Sequence, residues 1–437
     1  MIVKIKQTLL AIGDIAALYL SLIITLLIRY GVINDEYIHA HLGPFSIIFI
    51  LWIAIFYIVG LYEIRNLRTT FSFIRKFGIG IFAGGISSIV LFYIIPYFHI
   101  SPKTNLALFF VIFIVIGGAW RLLFNRTIRV PQRRVVLIGD GKEMEELKIH
   151  MQENPQIGYH VIQHITTPQK THTIQELREN YHPDTIIISE TLHAPTLIKE
   201  LSQELAHGIE ITDSTTAYQI IFKKLPLSQM QELWLIARLS RPKRVYETIK
   251  HVYEPIFALL LCIALSPLLI LIYLLVISTS RGPGIYKQIR AGKGEHLFWI
   301  YKFRTMIAHA EKNGAVFAQH HDARITAVGK WLRFSHLDEL PQIFNVIRGD
   351  ISFVGPRPER PEFITQLKKE IPYYELRHIV HPGITGWAQV NYRANVDLIE
   401  DTYHKLQYDM FYIQERSFIF DILTILKTIK MFLFNYR

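Results

Sequence analysis

The sequence predicts an α+β membrane protein: a four-helix transmembrane N-terminal bundle, a Rossmann-like α/β middle domain, and a C-terminal α+β domain entered through a re-entrant membrane helix. Three observations predict it. Hydrophobic residues make up 51% of the 437 and mean hydropathy is +0.25, too apolar for a soluble chain of this length. Four apolar runs crowd the first 130 residues, and a fifth covers 256–277. Between them, RRVVLIGDGKEMEEL reads as an apolar strand, a glycine turn and a helix.

The opening MIVKIKQTLL runs into apolar sequence without a small-residue cleavage site, so a retained helix is expected rather than a signal peptide. Runs at roughly 7–28, 44–62, 77–97 and 105–124 are each close to bilayer-spanning length. Arg65, Arg68, Arg75 and Lys76 follow the second, and Arg121, Arg126, Arg129, Arg133 and Arg134 close the fourth; the other loops are poor in Lys and Arg. Cationic loops stay cytoplasmic, so both ends of this first domain, 1–130, are expected on that side.

Residues 131–240 form the second domain, with DTIIIS (184–189) as a further buried strand. Gly139 and Gly141 match the first two glycines of G-x-G-x-x-G, but Met144 stands at the third and HVIQHI offers no acid for a ribose. A degenerate CoA- or nucleotide-binding-like module on the cytoplasmic side is expected, structural or regulatory in role.

The third domain, 241–437, opens with a re-entrant helix over 254–278, whose centre carries Ser266 and Pro267. Proline removes a backbone hydrogen bond, and the preceding serine can bond the freed carbonyl. An ordinary kinked span would place everything after 278 outside the cell. Lys243, Arg244 and Lys250 precede the run and Arg281, Lys287 and Arg290 follow it, which favours a hairpin with both flanks on one side. GIYKQIR and LFWIYKFRTM then form a β-hairpin around AGKGE. In FIFDILTILKTIKMFLFNYR, Phe418, Ile422, Ile425, Ile429 and Phe432 fall at steps of four and three. That stripe suits a helix lying on the bilayer, or a core helix.

The net charge of +11 in so apolar a chain points to lipid headgroups and phosphorylated substrates, not nucleic acid. The single Cys262 excludes an internal disulfide and a cysteine-rich metal site. In RFSHLDELPQIFNV, Asp338 and Glu339 stand side by side. Ser335, three residues before Asp338, fits a capping box, which would make the acids structural. Alternatively Pro341 starts a helix through QIFNVI and leaves the acids beside its positive end, where phosphate binds. Adjacent residues diverge on a helix, so a glycosidase-like facing pair does not fit; one acid as nucleophile and its neighbour as metal ligand or base fits better. Lys302, Arg304, Arg324, Arg333 and Arg357 surround the pair in sequence and suit phosphate oxygens. A carboxylate can attack phosphorus to give an acyl phosphate, and Mg²⁺ on carboxylate and phosphate oxygens would neutralise charge there. His320 and His321 diverge as neighbours and have no third ligand at zinc spacing. No G-x-x-x-x-G-K-[ST] loop, serine elbow or Cys-His pair offers a carrier for nucleotide hydrolysis or acyl transfer.

The segments KFRTM, DARITAVGKWLR, LDELPQIFNVIRGDISFVGPRP and PGITGWAQVNYR resemble the bacterial polyprenyl-phosphate sugar-1-phosphate transferases over about 241–437. The N-terminal helices and middle module resemble, in layout, the larger members that initiate exopolysaccharide, capsule or O-antigen units. The resemblance implies a multi-pass protein of the bacterial inner membrane, catalytic on its cytoplasmic face among membrane lipids. It implies a UDP-sugar donor, an undecaprenyl phosphate acceptor and Mg²⁺, and is compatible with a homo-oligomer. It implies that Asp338 attacks the β-phosphorus, releases UMP and holds the sugar phosphate until undecaprenyl phosphate takes it. Glu339 would position Mg²⁺, as would Asp338 itself, or the acceptor. Arg333 and Arg357 fall on positions associated with phosphate binding, and the family's broken helix falls on Ser266 and Pro267. Glu254 stands where many members have Asp, and Ile351 and Phe353 where Met and Leu are frequent. The alternative expectation is a nucleotide-sensing membrane regulator of polysaccharide synthesis with the transferase-like half as scaffold.

Overall fold

The computed structural model describes residues 2–32, 34–63, 71–95, 103–127, 132–166, 174–190, 192, 200–201, 207–228, 232–240, 242–307, 322, 324–392 and 398–434. It is mostly helical and divides into two compact units, Met1–Ala217 and Tyr218–Arg437.

The first unit begins with α1 (Ile2–Tyr30), α2 (Asp35–Val59), α3 (Phe71–Ile94) and α4 (Lys103–Thr127). These and one helix of the second unit are long and apolar enough to cross a membrane, as the sequence predicts. Phe45, Trp52, Phe56, Phe109 and Phe113 fill the bundle interior, while Ile50, Phe82 and Val111 stay exposed on its outside, the inverse of a soluble helix surface. Close packing needs small residues: a Cβ on Gly84 would lie 2.6 Å from the Trp52 indole, whose Nε1 donates to Ser88 Oγ at 3.0 Å. One expectation is corrected. Arg121 is no loop cation; it is buried in the bundle and paired with Asp14, donating from Nε to Oδ1 at 3.1 Å. Asp14 also accepts from Tyr62 Oη at 2.8 Å, so the charge is enclosed and satisfied, as a charge at membrane depth must be. Arg65, Arg68 and Arg129 lie outside the described residues.

Next come β1 (Arg133–Ile138), α5 (Lys142–Glu153), β2 (Tyr159–Ile165), α6 (Ile174–Tyr181), β3 (Thr185–Ile188) and β4 (Glu210–Asp213). The strands form a parallel sheet in the order β2-β1-β3-β4. Gly139 (φ +111°) passes so near Ser189 that an added Cβ would meet its Cβ at 2.4 Å. Met144, at the third-glycine position, is fully buried and serves packing.

Helix α7 (Ser214–Phe222) runs across the division after Ala217, and α8 (Glu232–Leu239) and α9 (Arg244–Thr279) lead through the second unit. After them come β5 (Ile285–Ala291) and β6 (Leu297–Phe303), an antiparallel hairpin as expected. Then follow α10 (Ala327–Ser335), α11 (Ile343–Arg348), β7 (Ser352–Val354), α12 (Pro361–Glu370) and β8 (Gly383–Thr385), the last pairing in parallel with β7. The chain closes with α13 (Trp387–Asn391), α14 (Leu398–Glu415) and α15 (Phe418–Leu433) around a core that includes Leu367, Tyr374, Leu406 and Met410.

The 36-residue α9 runs through Pro267. Ser266 Oγ donates to Ile263 O at 2.7 Å, the carbonyl that proline's missing N–H leaves unbonded. Before Pro267, Ala258, Leu261 and Cys262 pack on Ile343, Val346 and Ile351; beyond it, Leu268, Leu269, Ile272 and Val276 pack on Phe303, Leu332, Leu337 and Leu340. Ile256, Leu260, Ile263, Ile270 and Leu271 on other faces are more than half exposed. Helix α15 turns Asp421 and Thr424 inward and leaves Ile422, Ile429 and Phe432 exposed, so much of its apolar stripe faces away from the core.

Candidate active site

The acid pair sits in a 3₁₀ turn, Leu337–Gln342, between α10 and α11. His336, in the left-handed region at φ 53°, ends α10 and opens that turn. Both helix-end readings are corrected by this. Pro341 lies within the 3₁₀ turn, not at the first turn of α11, so the acids precede that helix by a turn of their own. Ser335 Oγ donates back to Trp331 O at 2.9 Å and Leu332 O at 3.2 Å and caps nothing. Asn345, fully buried, ties α11 to β6: its Nδ2 donates to Trp299 O at 2.7 Å and its Oδ1 accepts from Tyr301 N at 3.1 Å. That bridge fixes β6, and so Lys302, against the acid turn.

Lys302 Nζ donates to Glu339 Oε1 at 2.7 Å, and Arg357 Nη2 donates to the same oxygen at 2.9 Å. Asp338 has no hydrogen-bond or ion-pair partner among the described residues. The two carboxyls therefore titrate apart. Burial alone would raise Glu339, but the charges of Arg357 and Lys302 outweigh it and hold Glu339 well below the usual carboxylate range. Burial and then the neighbouring Glu339 charge push Asp338 up, opposed by Lys302, His336 and Arg333. Burial also lowers the Lys302 ammonium, with Arg357 adding to the effect.

Lys302, Arg333 and Arg357 are thus brought to the acid pair. Arg333 Nε is anchored by Thr305 Oγ1 at 2.8 Å. Arg304 donates from Nη2 to Ser280 O and Oγ, both at 2.7 Å, and its Nε and Nη1 are buried without a partner among the described residues. Arg324 forks onto Asp322, with Nη2 to Oδ2 at 2.6 Å. His320 and His321 fall outside the described residues. Among the described residues no group of three or more His, Cys, Asp or Glu could hold a metal. Asp338 and Glu339 supply two carboxylates, and both bonds to Glu339 go to Oε1, leaving Oε2.

Sequence reasoning missed the supports of Arg357. Arg377 donates from Nη2 to the Arg357 carbonyl and to Asp409 Oδ2, each at 2.9 Å, and Arg290 Nη1 donates to Pro358 O at 3.1 Å. Arg377 and Asp409 are both buried, but 32 residues apart they leave no local spacing signal. Glu254 accepts from Ser352 Oγ at 2.8 Å and Phe353 N at 3.3 Å. It thereby pins β7 to α9.

A clamped carboxylate stands beside one that has no partner among the described residues, with Lys302, Arg333 and Arg357 around them. The model of the bacterial sugar transferase family matches residues 245–435. The chain is 44% identical over 197 residues to UDP-N-acetylgalactosamine-undecaprenyl-phosphate N-acetylgalactosaminephosphotransferase of Aeromonas hydrophila, covering 45% of this chain and 46% of that one. It is 32% identical to UDP-glucose:undecaprenyl-phosphate glucose-1-phosphate transferase of Xanthomonas campestris pv. campestris over 69% of this chain and 67% of that one. To the Escherichia coli K12 protein of the same name it is 30% identical, over 72% of this chain and 70% of that one. The chain belongs to the bacterial sugar transferase family. It spans about half the length of the Aeromonas relative.

Proposed function

We propose that this protein transfers a sugar 1-phosphate from a UDP-sugar to undecaprenyl phosphate, releasing UMP. The relatives' names supply that pair of substrates; the observation that carries the reading is the asymmetry of the acid pair. Asp338, unpartnered and more basic than an ordinary carboxylate, attacks the β-phosphorus of the donor. The bond from that phosphorus to the bridging oxygen breaks and UMP leaves with the oxygen. The sugar phosphate is then held on Asp338 as an acyl phosphate. An oxygen of undecaprenyl phosphate attacks the same phosphorus and frees the carboxylate. Lys302, Arg333 and Arg357 hold phosphoryl oxygens in line and offset their charge. Asp338 and Glu339 Oε2 fit Mg²⁺, which takes one or two carboxylates plus substrate phosphates, and when bound it would neutralise charge on the diphosphate.

In this reading α9 is a re-entrant helix of the inner membrane and the site faces the cytoplasm, where nucleotide sugars are. Packing on both sides of Pro267 against one unit supports it, because a straight crossing would carry the second half away from that unit. The 133–240 segment acts as a Rossmann-like module without a working dinucleotide site, as the buried Met144 suggests. Its partition at 130 and 240 accompanies the same reading.

The test is a panel of UDP-sugars incubated with membranes containing the chain, Mg²⁺ and undecaprenyl phosphate, scored for UMP. One donor should release UMP beyond one equivalent per chain only when the acceptor is present. Release of UDP in place of UMP, or no release from any donor, would reject the function.

A further inference from the structure

A cavity of about 430 Å³ opens in the second unit away from the acid pair. Its walls come from the first turns of α9, the far end of α11 at Val346 and Gly349, β7, and the end of α14. None of Lys302, Arg333, Asp338, Glu339 or Arg357 lines it.

Most charges in those walls are already matched. Lys250 Nζ donates to Asp421 Oδ2 at 2.8 Å and to Val354 O at 3.0 Å. Arg416 pairs with Glu247 through Nε at 3.1 Å. Glu254 takes Ser352 and the Phe353 amide and lies 3.7 Å from Lys250; Asp350, next to the cavity but not in its walls, is met by Asn345 at 3.1 Å and Arg348 at 3.4 Å. What is left over is basic. His251 and His381 face each other with ring centroids 6.3 Å apart, and Lys293, exposed on the β5–β6 turn, lines the same cavity. No described carboxylate pairs with any of the three. Burial first, then the charges of Lys293, His251 and Lys250, lower the His381 imidazole, opposed by its bond to the Asp350 backbone; an anion bound among the three groups would meet basic side chains and no carboxylate of theirs.

The position selects the kind of anion. Val252 and Pro255 line the cavity, and Val252, Ile256 and Phe257 are 59%, 58% and 54% exposed, so the cavity adjoins the start of the apolar surface of α9. A basic pocket at that level is placed to take headgroup phosphate.

We propose that this cavity is a second phosphate site, distinct from the acid pair, in which Lys293, His251 and His381 hold a phosphate group at headgroup depth. Two sources share that chemistry: the phosphodiester of an anionic lipid and a free phosphate. The experiment uses the full chain, wild type, Lys293→Ala, and Lys293→Ala with His381→Gln, in nanodiscs. In discs with phosphatidylglycerol, native mass spectrometry reads retained lipid. In discs of phosphatidylcholine alone, inorganic phosphate is titrated and the melting temperature followed. Loss of about tenfold in affinity in the double variant, the scale of one lost charge-assisted hydrogen bond, is expected in one arm, and that arm names the source. Lys293→Ala, on an exposed turn, should show the same direction and retain UMP release, which separates loss of the site from loss of the fold. Equal lipid retention and equal phosphate response in wild type and both variants would overturn the proposal.

Discussion

Lys302 donates to Glu339 Oε1 at 2.7 Å, and that contact sets Glu339 apart from Asp338, which has no such partner among the described residues. Glu339 is also held by Arg357. In the proposed reaction Asp338, one residue earlier, is the acid that meets the incoming phosphorus. Removing Glu339 should therefore cost stability as well as activity. Glu339→Ala leaves the largely buried Lys302 ammonium without its counter-charge and is expected to destabilise the second unit by roughly 2–3 kcal/mol. Glu339→Ala combined with Lys302→Met should recover most of that loss. Denaturant unfolding followed by tryptophan fluorescence checks this; additive single effects would show that the pair is not coupled.

The rate should follow the ionisation of Asp338. A protonated carboxyl cannot attack phosphorus, so kcat/KM should rise as pH rises, with its ascending limb above the ordinary aspartate pKa of about 3.9. Lys302 opposes the upward shift, so Lys302→Met should move the limb to higher pH. A limb moving to lower pH, or a flat profile, would contradict the assignment. Glu339, held low, stays ionised throughout this range and adds no second limb.

Both flanks of α9 should lie on one side of the membrane. With Cys262→Ser as background, cysteines at Val245 and Lys287, both exposed, should react with an impermeant maleimide in inverted vesicles and be protected in right-side-out cells. Opposite accessibility would mean that α9 crosses. Ser266→Ala, which strands the Ile263 carbonyl, should cost about 1 kcal/mol without changing the labelling.

Docking of α15 depends on an acid inside an apolar helix. Asp421 accepts from Tyr246 Oη at 2.6 Å, Lys250 Nζ at 2.8 Å and Tyr412 Oη at 2.9 Å. Asp421→Ala should destabilise by about 3 kcal/mol, because buried Tyr246 and Tyr412 lose their acceptor and Lys250 keeps only Glu254, at 3.7 Å, as an anion. Limited proteolysis at α15 should accelerate; unchanged cleavage would show that the network does not hold the helix.

Much of this was legible in the sequence, for identifiable reasons. Membrane helices announce themselves by length and apolarity, and the β5–β6 hairpin by strands flanking AGKGE, because both are local patterns. Ser266 and Pro267 were legible because a proline's missing donor has one predictable casualty. The acid pair was legible as a pair, but its environment was not. Pro341 permits either a helix start or a 3₁₀ turn, and packing against β6 through Asn345 selected the turn. Arg121 misled because a cation near a helix end resembles a loop charge until its partner Asp14, 107 residues away, is seen. Arg377 and Asp409 stayed hidden for the same reason: long-range ion pairs write no spacing into the chain.

The central claim is that Asp338 carries the sugar phosphate, and one measurement addresses it most directly. The full chain is incubated with its UDP-sugar and Mg²⁺ but no undecaprenyl phosphate, quenched in acid, and the peptide containing Asp338 is weighed. The account predicts a mass gain of one sugar phosphate on Asp338, matched by one equivalent of UMP, lost on adding acceptor and missing in Asp338→Asn. Full turnover by Asp338→Asn, or an adduct on any other residue, would contradict it.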